Sequence, residues 1–171
     1  MIYDLNAKDL VIDIGSNVGV LLAGFKLRGT RVLGLEPAKD VCATANKNGI
    51  ETINEFFSET LAHNIVRTKG KARIITGTNV VAHINDLHAL VKGIDILLAE
   101  KGVFVFEAPY LVHLLEKLEY DTIYHEHLSY FALRPLIKLL EEHHLKIVDV
   151  RRTPIDGGAL RLTIANERSD Y

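Results

Sequence analysis

Three kinds of titratable side chain stand in one run, Tyr124-His125-Glu126-His127, inside the longer stretch from Tyr120 to Phe131. Histidine takes and returns protons near neutral pH because its resting pKa lies there. A carboxylate or a phenol beside it can orient the ring or share the proton. The run admits two other readings. His125 and His127 are two residues apart, so in an extended segment they share a face and can hold a metal. Against this, the H-E-x-x-H pattern of zinc proteases is absent and no third ligand follows at short range. The same residues can also simply satisfy buried polar groups in an irregular segment. Among the other histidines, His83 lies beyond an apolar strand, where it opens the next helix. His143-His144 close a helix, whose dipole favours a solvated cation there. His63, His88 and His113 carry no pattern.

A second constellation is Val11-Ile12-Asp13-Ile14-Gly15-Ser16-Asn17-Val18-Gly19, which leaves a strand, turns on Gly15 and enters a helix. Ligands of doubly wound sheets bind at that carboxyl edge. Gly15 has no side chain to block a ligand's approach to the backbone. Ser16 or Asn17 can cap the new helix, whose free amides favour a carboxylate. Glu36 closes the next strand, where an acid can accept hydrogen bonds from both hydroxyls of a ribose. A dinucleotide fingerprint needs glycine where Asn17 and Val20 stand, so a pyrophosphate would meet side chains. The spacing D-x-G-x-x-x-G, from Asp13 through Gly15 to Gly19, instead resembles the first motif of methyltransferases that bind S-adenosylmethionine. The plainer alternative is a tight strand–helix turn and nothing more. Gly77, Thr78 and Asn79 end the fourth strand, beside the place of a reactive methyl, and Asn79 is a candidate contact to the amino-acid tail. Phe56 and Phe57 can pack on adenine or belong to the core.

The elements that must carry these residues alternate. Strands are expected at Leu10 to Ile14, Arg31 to Glu36, Ile50 to Ile53, Lys71 to Thr76, Gly102 to Phe106, Lys146 to Val150 and Ala159 to Ile164. Helical spacing appears from Val18 to Phe25, after Pro37, from near Ser58, from Ile84 to Leu98 with Asn85 and Asp86 early in the helix, and around Leu136 to Leu140. Pro37 is expected near the first turn of its helix. Such alternation argues for a parallel sheet covered on both faces. The last two strands have only Gly157-Gly158 and neighbouring turn residues between them, so they pair as an antiparallel hairpin. The expectation is an α/β, Rossmann-like fold: a mostly parallel seven-stranded sheet closed by that hairpin, in one domain over residues 1–171.

In order along the chain, Asp13-Ile14-Gly15-Ser16-Asn17, Leu35-Glu36-Pro37, Asn79-Val80-Val81-Ala82-His83-Ile84, Tyr124 to Phe131 and Gly157-Gly158-Ala159-Leu160-Arg161 resemble the sugar C-methyltransferases that act on nucleotide-linked keto-deoxysugars. The resemblance implies a class I methyltransferase with S-adenosylmethionine held by Asp13, Gly15, Ser16, Asn17, Gly19, Glu36, Pro37, Phe57, Gly77 and Asn79. It implies His127 as the base that forms an enolate beside the ketone, Glu126 and Tyr124 orienting it or contacting the sugar, and His83 as a further polar contact. Members of that family also carry an amino-terminal zinc-binding lobe built on cysteines, whereas this chain has one cysteine, Cys42. Val18 and Val20 replace an acidic and a small polar residue of the family's first motif. Within the same fold, methylation of oxygen or nitrogen in another small molecule, or cofactor binding without turnover, are the alternatives.

Composition narrows the partners. A formal net charge of −2 with scattered Lys and Arg shows no basic stripe for nucleic acid and no polybasic membrane patch. No window has the apolar length that spans a bilayer. The opening Met1-Ile2-Tyr3-Asp4 lacks the basic and apolar runs of a signal peptide, and the expected compartment is the cytoplasm.

Overall fold

A computed structural model describes residues 4–171; Met1 to Tyr3, part of the opening read above, lie outside the described residues. Strand β1 (Leu10–Ile14) is buried along its whole length, as a continuous apolar run in the middle of a parallel sheet must be. It is followed by α1 (Val20–Leu27), β2 (Arg31–Leu35), α2 (Lys39–Lys47), β3 (Thr52–Ile53), α3 (Glu59–Lys69) and β4 (Ala72–Thr78). After a short 3-10 turn at Val81–His83 come α4 (Leu87–Leu97), β5 (Leu98–Pro109), α5 (Leu111–Lys117), α6 (Leu133–Glu141), β6 (Leu145–Thr153) and β7 (Ala159–Asn166).

The seven strands lie in the order β3-β2-β1-β4-β5-β7-β6. The first five are parallel, and β7 runs antiparallel between β5 and β6. The chain therefore reverses its direction of travel across the sheet between β3 and β4, which opens a crevice above β1 and β4. One face of the sheet buries Ile12, Ile75, Phe104 and Leu162 beneath residues of α3, α4 and α6, including Ile65, Ile94 and Leu140. The other buries Val11, Ile74 and Val103 with Leu22 of α1. The seven strands and the closing hairpin agree with the sequence expectation. Among the described residues, no helix is long and apolar enough to cross a membrane.

Several boundaries differ from the sequence reading. Neither Ser16 nor Asn17 caps α1: the capping residue is Gly19, in a left-handed conformation at φ 82° and with no side-chain bond. The Asn17 side chain instead accepts from the adjacent Val18 amide at 2.7 Å. Pro37 stands outside α2, which begins at Lys39. Ile84 and Asn85 precede α4, and Asp86 caps it, with Oδ1 accepting from the Ala89 amide at 2.9 Å. A side chain that bonds this close to its own backbone stops a helix from extending backwards. His83 consequently ends the 3-10 turn and does not open a helix. Leu98, counted to the helical face by its spacing, already belongs to β5.

Gly34 shows how tightly the crevice is packed from below. A Cβ there would lie 2.4 Å from Ser16 Oγ and 2.7 Å from Thr52 Oγ1. Gly34→Ala is therefore expected to cost about 1–3 kcal/mol by overpacking, read as a lower urea midpoint with unchanged slope.

Candidate active site

The loop between β1 and α1 alternates in hand, with positive φ at Gly15, Asn17 and Gly19. This folds the chain back on the end of β2. The amides of Gly15 and Ser16 both donate to the Leu35 carbonyl, at 2.9 and 3.1 Å. The Glu36 carboxylate completes the junction: Oε2 accepts from the Asn17 amide at 3.0 Å and Oε1 from the Ala38 amide at 2.8 Å. Asn54, which sequence reasoning passed over, donates to the carbonyls of Glu36 and Pro37 at 2.9 and 2.8 Å. Glu36 is buried, yet the two amides occupy only part of what a carboxylate can accept. The acid is thus pre-oriented beside the loop with capacity left for a pair of hydroxyls. The first turn of α1 adds amides that have no partner within the helix. This donor and acceptor set fits an adenosyl cofactor with an amino-acid tail.

Other sequence-selected residues also have close partners within the protein. A Cβ on Gly15 would meet Val80 Cγ2 at 2.7 Å, so the close approach there is made by the loop after β4. Gly19 is confined in the same way by Ile50 at 2.9 Å. Gly77 lies buried in β4 against Phe104 and Val81. Phe57 packs against Gly93 of α4, where a Cβ would come within 2.9 Å of its ring, and Phe56 is the exposed one of the pair. Asn79 stands at the end of β4 with φ 54°, its amide donating to the Glu107 carbonyl at 2.9 Å.

Asp13 sits beneath the loop, opposite Thr76 of β4. Thr76 Oγ1 donates to Asp13 Oδ1 at 2.6 Å. Burial pushes the Asp13 carboxyl up to about 6, against the lowering effect of that hydrogen bond.

The second half of the site is a cleft of about 430 Å³ above the ends of β4 and β5. Asn79, His83, Tyr124 and His127 line it together, as do Asp121 and Thr122, which lie in the stretch the sequence marks without a role of their own, and Glu119, which lies outside it. The segment bearing Tyr124 and His127 is irregular and is fastened to the turn after β4: the Leu128 amide donates to the Ala82 carbonyl at 2.8 Å. His83 Nδ1 bonds the Glu126 carbonyl at 2.7 Å, so Glu126 enters through its backbone while its side chain is exposed. His127 Nδ1 bonds the Thr122 carbonyl at 2.8 Å, and its Nε2 lies 3.0 Å from the Tyr124 hydroxyl. A carbonyl only accepts, so Nδ1 carries a proton, and in the neutral ring Nε2 then keeps its lone pair. The His83 and His127 rings lie 5.1 Å apart. Among the described residues, no group of three or more His, Cys, Asp or Glu is gathered to hold a metal.

A parallel sheet with an antiparallel hairpin at one end, a loop gripping an acid at the end of β2, and a polar cleft beside it are the arrangement of class I S-adenosylmethionine-dependent methyltransferases. Residues 3–150 match the family described as "Methyltransferase domain", and the chain belongs to that family. It is 41% identical over 163 residues to the C-methyltransferase NovU of Streptomyces niveus, covering 95% of this chain and 39% of that protein. The chain thus spans about two fifths of that relative's length. Among solved structures, the fold matches magnesium protoporphyrin IX methyltransferase of Synechocystis PCC 6803 with bound SAH, at TM-score 0.71 and 17% identity over 94% of this chain and 76% of the other. It also matches the 1,6-didemethyltoxoflavin-N1-methyltransferase of Burkholderia thailandensis at TM-score 0.67 and 20% identity, covering 94% and 71%.

Asp13 gives this site a pH signature. An acid whose pKa is raised by folding holds its proton more tightly in the folded chain, so its contribution to stability is full below about pH 4 and lost as pH rises through 6. The loss amounts to roughly 3 kcal/mol for a carboxyl raised from its ordinary value to about 6. Unfolding of the wild type and of Asp13→Asn between pH 4 and 8 checks this: the difference between the two should move by that amount in favour of the variant as pH rises.

Proposed function

We propose that this chain is an S-adenosylmethionine-dependent methyltransferase that places a methyl on carbon next to a ketone of a nucleotide-linked deoxysugar, with His127 as the base. The observation that carries the reading is the pair of bonds on His127, at the wall of a polar cleft beside the cofactor-type cradle: Nδ1 is tied to the Thr122 carbonyl, which in the neutral ring leaves the Nε2 lone pair turned to the Tyr124 hydroxyl. The likeness to a C-methyltransferase over 95% of the chain supports carbon as the acceptor.

When bound, the cofactor supplies an electrophilic methyl on a sulfonium. Glu36 would hold its ribose, the loop Gly15 to Gly19 and Asn79 its amino-acid tail, and Asp13 braces that loop from below. Methylation at carbon needs a carbon nucleophile, and a ketone provides one by losing the proton on its neighbouring carbon. Nε2 of His127 takes that proton, and the electron pair of the C–H bond passes into the enolate. The Thr122 carbonyl, bonded to Nδ1, stabilises the imidazolium that results. Tyr124, at the same cleft, is the donor placed for the enolate oxygen, while His83, whose Nδ1 proton is committed to the Glu126 carbonyl, offers Nε2 as an acceptor to the acceptor molecule's own hydroxyls. The new carbon–methyl bond would use the enolate's electron pair while the sulfur–methyl bond breaks with its pair left on sulfur as a neutral thioether, and His127 then releases its proton to solvent.

His127→Ala is expected to lower methyl transfer by about 10²- to 10⁴-fold, the usual worth of a general base, while S-adenosylmethionine still binds in a calorimetric titration. Glu36→Ala should do the reverse, weakening cofactor binding by about 1–3 kcal/mol without altering the pH profile of the residual transfer. Loss of cofactor binding in the His127 variant would remove that residue from the role of base.

A further inference from the structure

Among the described residues, the cleft is lined by two carboxylates, Glu119 and Asp121, and by no lysine or arginine. A diphosphate is therefore a poor occupant of it, and the part of an acceptor that enters must be neutral or cationic. Asp121 is exposed, but the Glu119 side chain is only 16% exposed. Glu119 is one of the residues that line the cleft.

The placement of Glu119 is built into the backbone on either side. Leu118, immediately after α5, adopts φ 55°, an uncommon conformation for a branched residue and one that turns the chain sharply. The Glu119 carbonyl then accepts from the Thr122 amide at 3.2 Å and from Thr122 Oγ1 at 2.8 Å. Those bonds form the 3-10 turn Tyr120–Thr122, whose last carbonyl holds His127 Nδ1. The Glu119 carboxylate is therefore in fixed register with the base. Its own closest cation, Lys117, stands 3.8 Å away, beyond hydrogen-bonding distance, and donates instead to the Gly157 carbonyl. Gly157 in turn leaves the carboxylate its room: a Cβ there, at φ 78°, would come within 2.4 Å of Glu119 Oε1.

An ionised carboxylate accepts hydrogen bonds and cannot donate them. Held at the wall of a cleft that admits a sugar ring, it recognises a hydroxyl or an amine, and a ring lacking one leaves a mostly covered carboxylate with no hydrogen-bond donor and only the Lys117 ammonium at 3.8 Å. We propose that Glu119 is the specificity-determining residue of the acceptor site, accepting a hydrogen bond from a hydroxyl or amine borne by the ring next to the reacting carbons. This inference rests on the proposed acceptor class and goes beyond it by naming what that acceptor must carry.

The test compares three keto-sugar nucleotides that differ only at one ring position, bearing a hydroxyl, an amine or hydrogen. Each is measured for methyl transfer and for direct binding by calorimetry, with wild-type chain, Glu119→Gln and Glu119→Ala. The wild type should favour a donor-bearing ligand over its deoxy analogue by about 10- to 100-fold in kcat/KM, the size of discrimination lost when a buried polar group goes unpaired. Glu119→Gln should shrink that ratio to about threefold or less through KM, leaving the pH profile set by His127 in place. A larger fall for the amine than for the hydroxyl identifies an ammonium as the preferred donor, and equal falls identify a hydroxyl. A wild-type ratio preserved in Glu119→Gln and Glu119→Ala overturns the proposal. Binding with the expected ratios but no methyl transfer would overturn the proposed reaction and leave this inference standing, whereas binding of none of the three would overturn both.

Discussion

At the carboxyl edge of five parallel strands the backbone ladder ends, and every amide and carbonyl left there needs another partner. A parallel sheet covered by helices offers little water at that edge, so an unmet group costs free energy comparable to a lost hydrogen bond. The molecule answers with partners from the connecting loops. Glu36 accepts the amides of Asn17 and Ala38, Asn54 donates to the carbonyls of Glu36 and Pro37, and the Asn79 amide reaches the Glu107 carbonyl. Farther along, the turn after β4 holds the irregular segment by its Ala82 carbonyl. The site is made of these answers: each polar group that satisfies the edge is also fixed in place, which is what a preorganised site requires.

The two halves of the site are built to different standards. The cofactor-type half rests on β1, β2 and β4, with Asp13, Thr76 and Glu36 buried and the glycines wedged against Val80 and Ile50. Such packing resists small displacements. The acceptor half hangs on a segment with exposed Tyr120, Ile123, Tyr124 and Leu128, held by a few backbone bonds and by Thr122. In such a division the residues lining the cleft can change without disturbing the sheet.

How much of this was legible follows the same division. The strands were readable because β1 and the middle of β5 are apolar runs, and Gly157-Gly158 marks the closing hairpin. The motif Asp13 to Gly19 and Glu36 were readable because glycines and an acid at strand ends are rare enough to carry a signal. Their physical roles were not. Gly15 yields to Val80, a residue 65 positions away, and no local pattern reveals such a contact. Helix starts were misjudged where side chains compete with backbone, as at Asp86, or where glycine caps without a side chain, as at Gly19. Tyr124 and His127 stood out by type. Thr122 and Glu119 did not, since Thr122 acts through its carbonyl and Glu119 owes its place to a left-handed Leu118.

The Tyr124 hydroxyl introduces the remaining constraint on the proposed chemistry. With Nδ1 of His127 committed as donor to Thr122, the bond between Nε2 and Tyr124 must run from the hydroxyl to the ring. The lone pair that would take a substrate proton is therefore occupied by Tyr124 before an acceptor enters. That bond keeps the imidazole aimed into the cleft, and the rings lie 4.2 Å apart at their centroids. For Nε2 to act, the hydroxyl must turn away, and a newly formed oxyanion offers it a stronger acceptor than a neutral ring nitrogen. The same hydroxyl would thus hold the proposed base in its resting state and become available to the enolate at the moment the base is protonated. In the proposed reaction, proton abstraction and oxyanion stabilisation would be coupled through one side chain, so the cost of releasing Tyr124 from His127 would be offset in the step that needs it.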